Sequence, residues 1–293
     1  MNRSLTRSIL HGARTPEGVG MGVLALFTVM AVLGYGVFAL NPNLIPDTDQ
    51  AREFYGVSFP LFARAHIILA ALVLFIPLIR KAGLRWVPAF AAIVGVSFLS
   101  EHVGTGYGIP FGGYEYTHLL GYKIGGRVPA VIPVSWFLMA LPSWAMARKM
   151  APEPGAWLAR IFLGAYILTA WDLALDPAMS FLTPYWVWEN PGPFFGMPWV
   201  NLAGWMATGL VLMGILELLR SERWVKDLSL PWLVGYYGVL LAMPLGMLVA
   251  AGLWGAVAAT GVALLLPWGV HRLRNLSFQR GDSLVLAGEE GTS

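Results

Sequence analysis

The chain has 293 residues, of which 57% are hydrophobic and 12% charged, and its mean hydropathy is +0.65. Soluble globular domains average about a quarter charged residues, so this chain lacks the charge to cover a water-facing surface and is read as an all-α integral membrane protein. The absence of cysteine excludes disulfides, Fe–S clusters, thiolate metal sites and thiol nucleophiles, and a net charge of +3 spread over short loops leaves no basic run for nucleic acid.

A helix needs roughly 20 apolar residues to cross a bilayer. Eight segments are read as spans in chain order: 18–40, 59–79, 86–100, 129–147, 156–176, 200–219, 231–251 and 253–270. The third is short, so its end is open to extension past Glu101, and the last two are joined by almost nothing. Residues 1–17 and 271–293 are expected as tails of a single polytopic domain, the first without the pattern of a cleaved signal peptide. With the N-terminus in the cytoplasm, fifteen Lys and Arg fall on that side and three on the other (Arg52, Lys123 and Arg127), with Arg64 inside the second span. That bias predicts a multi-pass protein of the cell membrane with both termini cytoplasmic.

Three loops then lie on the outer face. Loop 41–58 is acidic. Loops 101–128 and 177–199 are rich in Gly, Pro and aromatic residues, and are expected either as aromatic-belt turns or as caps folded over a pocket.

Three carboxylates stand at the outer ends of spans. Glu101 ends the third, and Asp172 and Asp176, spaced i,i+4 on one helix face, end the fifth. At 1.5 Å per residue, Glu101 lies about 22 Å along its helix and Asp172 about 24 Å along its own, at similar depth. Ionisable groups in spans face a cavity or a partner. The plainer readings are wetted helix ends or pairs with Arg64 or His66. Asp176-Pro177 also reads as a helix stop. Glu217 reads as a surface pair with Arg220 at i+3.

The two aromatic loops look related. Tyr114 and Tyr116 precede Pro129 and Trp136, and Tyr185 and Trp188 precede Pro198 and Trp205, with seven residues from Pro to Trp in each. This suggests an internal repeat of two helical hairpins, spans three-four and five-six, which would bring Glu101 and Asp172 toward one cavity.

Of five histidines, His66, His102 and His118 are on or near the outer side and form no i,i+4 pair, which argues against a di-iron oxygenase. There is no phosphate-binding glycine loop and no G-x-S-x-G elbow. Asp172-x-x-x-Asp176 has the form of a prenyltransferase diphosphate motif but lacks a second acidic cluster. What remains is an aromatic-lined pocket with two or three acids, no metal and no cofactor. A carboxyl group withdrawn from water holds its proton more tightly and could protonate an alkene. Aromatic faces could stabilise the resulting carbocation, and a second carboxylate could activate water or remove a proton. The substrate would be long, apolar and drawn from lipid.

The segments GYGIPFGGYEYTHLLGYKIGGRVPAVIPVSWFLMA (106–140) and AWDLALDPAMSFLTPYWVWENPGPFFGMPWVNLAGWMATG (170–209) resemble the membrane-integral carotenoid 1',2'-hydratases of the carotenoid-biosynthesis protein family. Matching positions include Tyr107, Pro110, Phe111, Tyr114 and Tyr116, then Trp171, Asp172, Asp176 and Pro177, then Pro198, Asn201, Gly204 and Trp205. The resemblance implies cofactor-free addition of water to the terminal 1,2 double bond of an acyclic carotenoid ψ end, as in lycopene, γ-carotene or a C50 precursor. Glu101, Asp172 and Asp176 are the candidate catalytic acids, with one of Asp172 and Glu101 as proton donor. Tyr107, Tyr114, Tyr116, Trp171, Trp188, Asn201 and Trp205 are candidate substrate contacts, and Arg64, His102 and Glu115 candidate supporting residues. Expected partners are the membrane carotenoid and other enzymes of its pathway. The alternatives are a membrane-type lycopene cyclase making the same cation, and a non-catalytic carotenoid- or lipid-binding or transport protein.

Overall fold

The structure is a computed structural model that describes residues 15–269. The tail expectations for residues 1–14 and 270–293 lie outside the described residues. Among the described residues, six helices are long and apolar enough to cross a membrane: Pro16–Ala39, Asp49–Ala82, Val87–Tyr107, Trp157–Phe181, Trp199–Leu218 and Leu230–Ala250. We name the regular helices α1 (Pro16–Gly34), α2 (Asp49–Pro77), α3 (Val87–Tyr107), α4 (Val131–Met150), α5 (Trp157–Asp176), α6 (Trp199–Leu218), a short α7 (Glu222–Val225) and α8 (Leu230–Ala250). A last helix, α9 (Trp254–Gly269), is apolar but shorter.

The helix starts follow from their residues. Thr15, Thr48 and Ser229 cap α1, α2 and α8 by accepting from Gly18 N, Ala51 N and Trp232 N, which satisfies otherwise orphaned first-turn amides. The Thr48 cap begins α2 ten residues before the expected 59, so much of the acidic loop 41–58 is helical. Similarly, α3 continues through Tyr107 and ends on Gly108, whose φ of 72° closes the helix with its N–H on Gly104 O. The first seven residues of the expected loop 101–128 are therefore helix.

Pro177 does not stop α5. The chain runs on through a π turn, Pro177–Phe181. Such wide turns are frequent at functional sites, and here the turn places Ser180 over Asp176: its Oγ lies 2.9 Å from the Asp176 carbonyl and 2.7 Å from Asp176 Oδ1.

α4 differs from the other long helices because protein, not lipid, surrounds it: 14 of its 20 residues are buried. Its side chains need less hydrophobicity than a lipid-facing span, which is why Ser143 is tolerated in it; Arg148 and Lys149 lie in its last turn, outside the buried stretch. α5 lies close against α6 through small residues. A Cβ on Gly164 would meet Met213 Sδ at 2.7 Å, and one on Gly209 would meet Ala165 Cα at 3.2 Å. Membrane helices approach closely through such residues.

One end of the bundle collects charge pairs: Glu17 with Lys81 at 3.4 Å, Arg85 with Asp227 at 2.6 Å and Arg160 with Glu217 at 2.8 Å. Glu217 thus pairs with Arg160 rather than Arg220, and also accepts from Trp144 Nε1 at 2.8 Å. It is a partly buried tie between α4, α5 and α6, not a surface pair.

The opposite end is closed by the two aromatic loops. Strand β1 (Tyr114–Tyr116) pairs antiparallel with β4 (Trp186–Trp188), so that Tyr114 faces Trp188 and Tyr116 faces Trp186. A smaller ribbon, β2 (Lys123–Ile124) with β3 (Val128–Pro129), leads into α4. In β1 and β4 the outer two residues are buried and the middle one exposed, the alternation a strand imposes. Four aromatic side chains are thereby driven inward beneath the ribbon.

Candidate active site

The space under the ribbon is a cavity of about 50 Å³ lined by Glu101, Asp172 and Asp176 and by Phe111, Trp136, Trp171, Trp186, Trp188 and Trp205, with Tyr114, Tyr116 and Asn201 completing the polar wall. Among the described residues, no Lys, Arg or His lines it. All three acids are buried.

Glu101 comes from α3 and is held by three donors. Trp136 Nε1 donates to Oε1 at 2.9 Å, and the Tyr116 hydroxyl donates to Oε2 at 2.8 Å, joined there by the Tyr114 hydroxyl. Burial, with the Glu101 charge beside them, pushes both tyrosine hydroxyls well above their ordinary range. They therefore keep their protons and remain donors.

Asp176 is held from all sides. Ser180 Oγ and Trp188 Nε1 (3.2 Å) donate to Oδ1, and Trp186 Nε1 and Asn201 Nδ2 (both 3.3 Å) donate to Oδ2. Asp172 is held from one side only. Asn201 Nδ2 donates to its Oδ2 at 2.7 Å, while Oδ1 is buried without a hydrogen-bond partner among the described residues. Trp171 Nε1, on the residue before it, is likewise buried and unpartnered. A carboxylate has acceptor positions only, whereas a carboxylic acid has one oxygen carrying a proton. Each Asp176 oxygen has two hydrogen-bond partners, whereas Asp172 Oδ1 has none among the described residues and is free to carry the proton.

The aromatic wall is continuous. Trp136 and Trp205 stack with ring centroids 4.2 Å apart, Trp171 lies 6.0 Å from Trp205, and Phe111 lies 6.1 Å from Trp136. Phe111 is wedged between two helices at glycines: a Cβ on Gly104 of α3 or on Gly204 of α6 would stand 2.8 or 2.7 Å from its ring. Only glycine allows this approach.

The structure brings Glu101, Asp172, Asp176, Tyr114, Tyr116, Trp171, Trp188, Asn201 and Trp205 to one cavity. Four other candidates lie elsewhere. Tyr107, at the end of α3, is 77% exposed. Glu115 is the outward residue of β1, opposite the exposed Val187. His102 turns toward Gly125 and the Phe98 ring, one residue and thus about 100° around the helix from Glu101. Arg64 donates to Pro60 O of its own helix at 3.0 Å and packs on Gly121. His66, the other suggested partner of the acids, instead bonds Thr28 Oγ1 at 2.9 Å.

Trp136, Trp186, Ser180 and Phe111 were not among the sequence candidates for the site. Three carried a signal: Phe111 stands among the matching motif positions, Trp186 stands two before Trp188 as Tyr114 stands two before Tyr116, and Trp136 holds the place in its hairpin that Trp205 holds in the other.

A profile for the carotenoid biosynthesis protein family matches residues 62–267. The chain is also 32% identical over 177 residues to the bisanhydrobacterioruberin hydratase of Haloarcula japonica; the match covers 60% of this chain and 57% of that relative's length. No solved structure matches. The family match extends over more than two thirds of the chain and includes every acid and ring of the cavity, so this protein belongs to the carotenoid biosynthesis protein family.

Proposed function

We propose that the protein is a hydratase that adds water across the terminal 1,2 double bond of an acyclic carotenoid ψ end. The observation that carries this reading is the composition of the cavity: three buried carboxyl groups and a wall of indole rings, with no cationic side chain lining it among the described residues. Such a site repels an anionic diphosphate and favours a cation. Its relative in Haloarcula japonica bears a hydratase name, and the family match supports a carotenoid substrate.

In this reaction Asp172 Oδ1 gives its proton to carbon 2. The π electrons form the new C–H bond and leave a tertiary cation at carbon 1. The faces of Trp136, Trp171 and Trp205 stabilise that charge, and the carboxylates of Glu101 and Asp176 offset it. Water attacks carbon 1. The proton it sheds passes to a carboxylate and returns to Asp172, so the alcohol forms without redox change. Asn201, bonded to both aspartates, sets their spacing.

The reading extends to the membrane arrangement: eight spans, with α4 and α9 as the two beyond the six apolar ones, and both termini cytoplasmic. The charge-paired end of the bundle is then the cytoplasmic end and the acid cavity the outer one. The two helical hairpins α3–α4 and α5–α6, each bearing an acid, an aromatic strand and a stacked tryptophan, form the repeat.

The test is expression in bacteria that make lycopene or γ-carotene, with pigments separated by chromatography and weighed. A pigment heavier by one water supports hydration. An isomer of unchanged mass points to a cyclase and overturns it. No change in these hosts or with a C50 precursor points to a binding role.

A further inference from the structure

The acid cavity, at about 50 Å³, is small. An apolar cavity of roughly 150 Å³ accommodates one benzene ring, so the cavity takes only the end of a long isoprenoid. The remainder of such a molecule needs a continuous apolar path. Two further cavities supply one. A middle cavity of about 90 Å³ shares Ile132, Ser135, Met139, Trp171, Leu175 and Trp186 with the acid cavity. In turn it shares Ala63, Met179, Tyr185 and Met243 with a groove of about 400 Å³ between α1, α2 and α8. The groove wall is almost wholly apolar: Phe38, Phe54, Phe59 and Phe62 line it, and the few polar groups include Ser58, whose hydroxyl is spent on Phe54 O at 2.6 Å.

Apart from Trp171 Nε1, on the side shared with the acid cavity, the polar groups of the middle cavity are mostly engaged with protein. Ser135 Oγ donates to Ile132 O at 2.8 Å, and the Tyr185 hydroxyl to Phe59 O at 3.3 Å. His66 Nε2 and Thr28 Oγ1 share a 2.9 Å hydrogen bond, and the same hydroxyl reaches Leu24 O at 2.9 Å. The wall that faces the path is therefore mainly hydrocarbon. Two of its four threshold residues are methionines, whose unbranched side chains adapt to what passes them.

We propose that these three cavities form one channel, and that the polyene tail of the carotenoid lies in it: from the groove between α1, α2 and α8, over the threshold of Ala63, Met179, Tyr185 and Met243, to the reacting end under the ribbon. This rests on the carotenoid reading above and adds the site that holds the unreacted part of the substrate.

The natural chain has no cysteine, so single thiols report on single positions. Ala63→Cys and Met243→Cys place one at the threshold. Val262→Cys, at a residue 67% exposed on α9, is the control. Membranes of the full chain from bacteria with and without lycopene are treated with a membrane-permeant thiol reagent, and the labelled fraction is read by mass. Occupancy by lycopene slows labelling at 63 and 243 about tenfold, as expected for a ligand well above its dissociation constant, and leaves 262 unchanged. Equal labelling at 63 and 243 in both membranes, including no labelling in either, overturns the channel. The pigments of the same cells separate the two readings: protection without a heavier pigment upholds the channel and rejects hydration of lycopene, and a heavier pigment without protection supports hydration and rejects the channel.

Discussion

Asn201 donates to Asp172 Oδ2 at 2.7 Å, and this one bond leaves the other Asp172 oxygen buried and unpartnered among the described residues, while both oxygens of Glu101 and of Asp176 are hydrogen-bonded. The asymmetry distinguishes the surroundings of three carboxyl groups that are alike in burial.

Asp172→Asn removes the acidic proton but keeps the shape, and it breaks no bond at Oδ1. If the proposed hydration holds, conversion falls by roughly 10²–10⁴-fold, the usual contribution of a general acid, while unfolding in detergent changes little. Pigment conversion and a thermal melt of the same preparation check both halves. A folded variant with wild-type conversion would remove Asp172 from the mechanism.

Glu101→Gln has the opposite balance. The amide oxygen can still accept from Trp136, but the protons of Tyr114 and Tyr116 lose their shared acceptor in a buried site. The expected loss of stability is about 1–3 kcal/mol, so the melt of Glu101→Gln drops where that of Asp172→Asn does not. Tyr116→Phe, which deletes one donor and keeps the ring, falls between wild type and Glu101→Gln.

Asn201→Leu takes away what is, among the described residues, the one side-chain donor to Asp172, and one of the partners of Asp176. The two carboxyl groups then confront each other without their bridge. About 1–3 kcal/mol of stability is lost, and conversion drops together with the melting temperature.

Gly204→Ala drives a methyl group to 2.7 Å from both the Phe111 ring and Pro110 O. Overpacking of this kind costs about 1–3 kcal/mol, and the displaced ring narrows the acid cavity. Gly214→Ala, on the same helix with nothing within 4 Å, is neutral or slightly stabilising because alanine favours helix. The paired melts separate a steric effect at Phe111 from a general effect on α6.

The residues show how far the chain could be read without its fold. Glu101, Asp172 and Asp176 stand out because a carboxylate is rare in an apolar segment, and counting 1.5 Å per residue puts them at one depth whatever the helices pack against. The inward face of Tyr114-x-Tyr116 is equally a local property, set by strand alternation. The limits are also instructive. α4 is the most buried long helix and less apolar than a hydropathy reading expects, since neighbouring protein replaces lipid around it. Pro177 resembles a stop, yet the widened turn after Asp176 absorbs it.

Composition, charge bias and the spacing of acids and aromatics determined that this is a helical membrane protein with carboxylates gathered near one end, because each is a property of the chain's own periodicity and solvent. Tertiary structure alone decided which residues meet. Tyr107, Glu115, His102 and Arg64 are next to site residues in sequence or proposed as their partners, but helix rotation and strand phase turn them away. Trp136, Trp186 and Ser180 reach the acids because α4, β4 and the π turn are packed against α3 and α5. The number of donors each carboxyl receives is a sum over several elements of the fold, and no local stretch of sequence contains it.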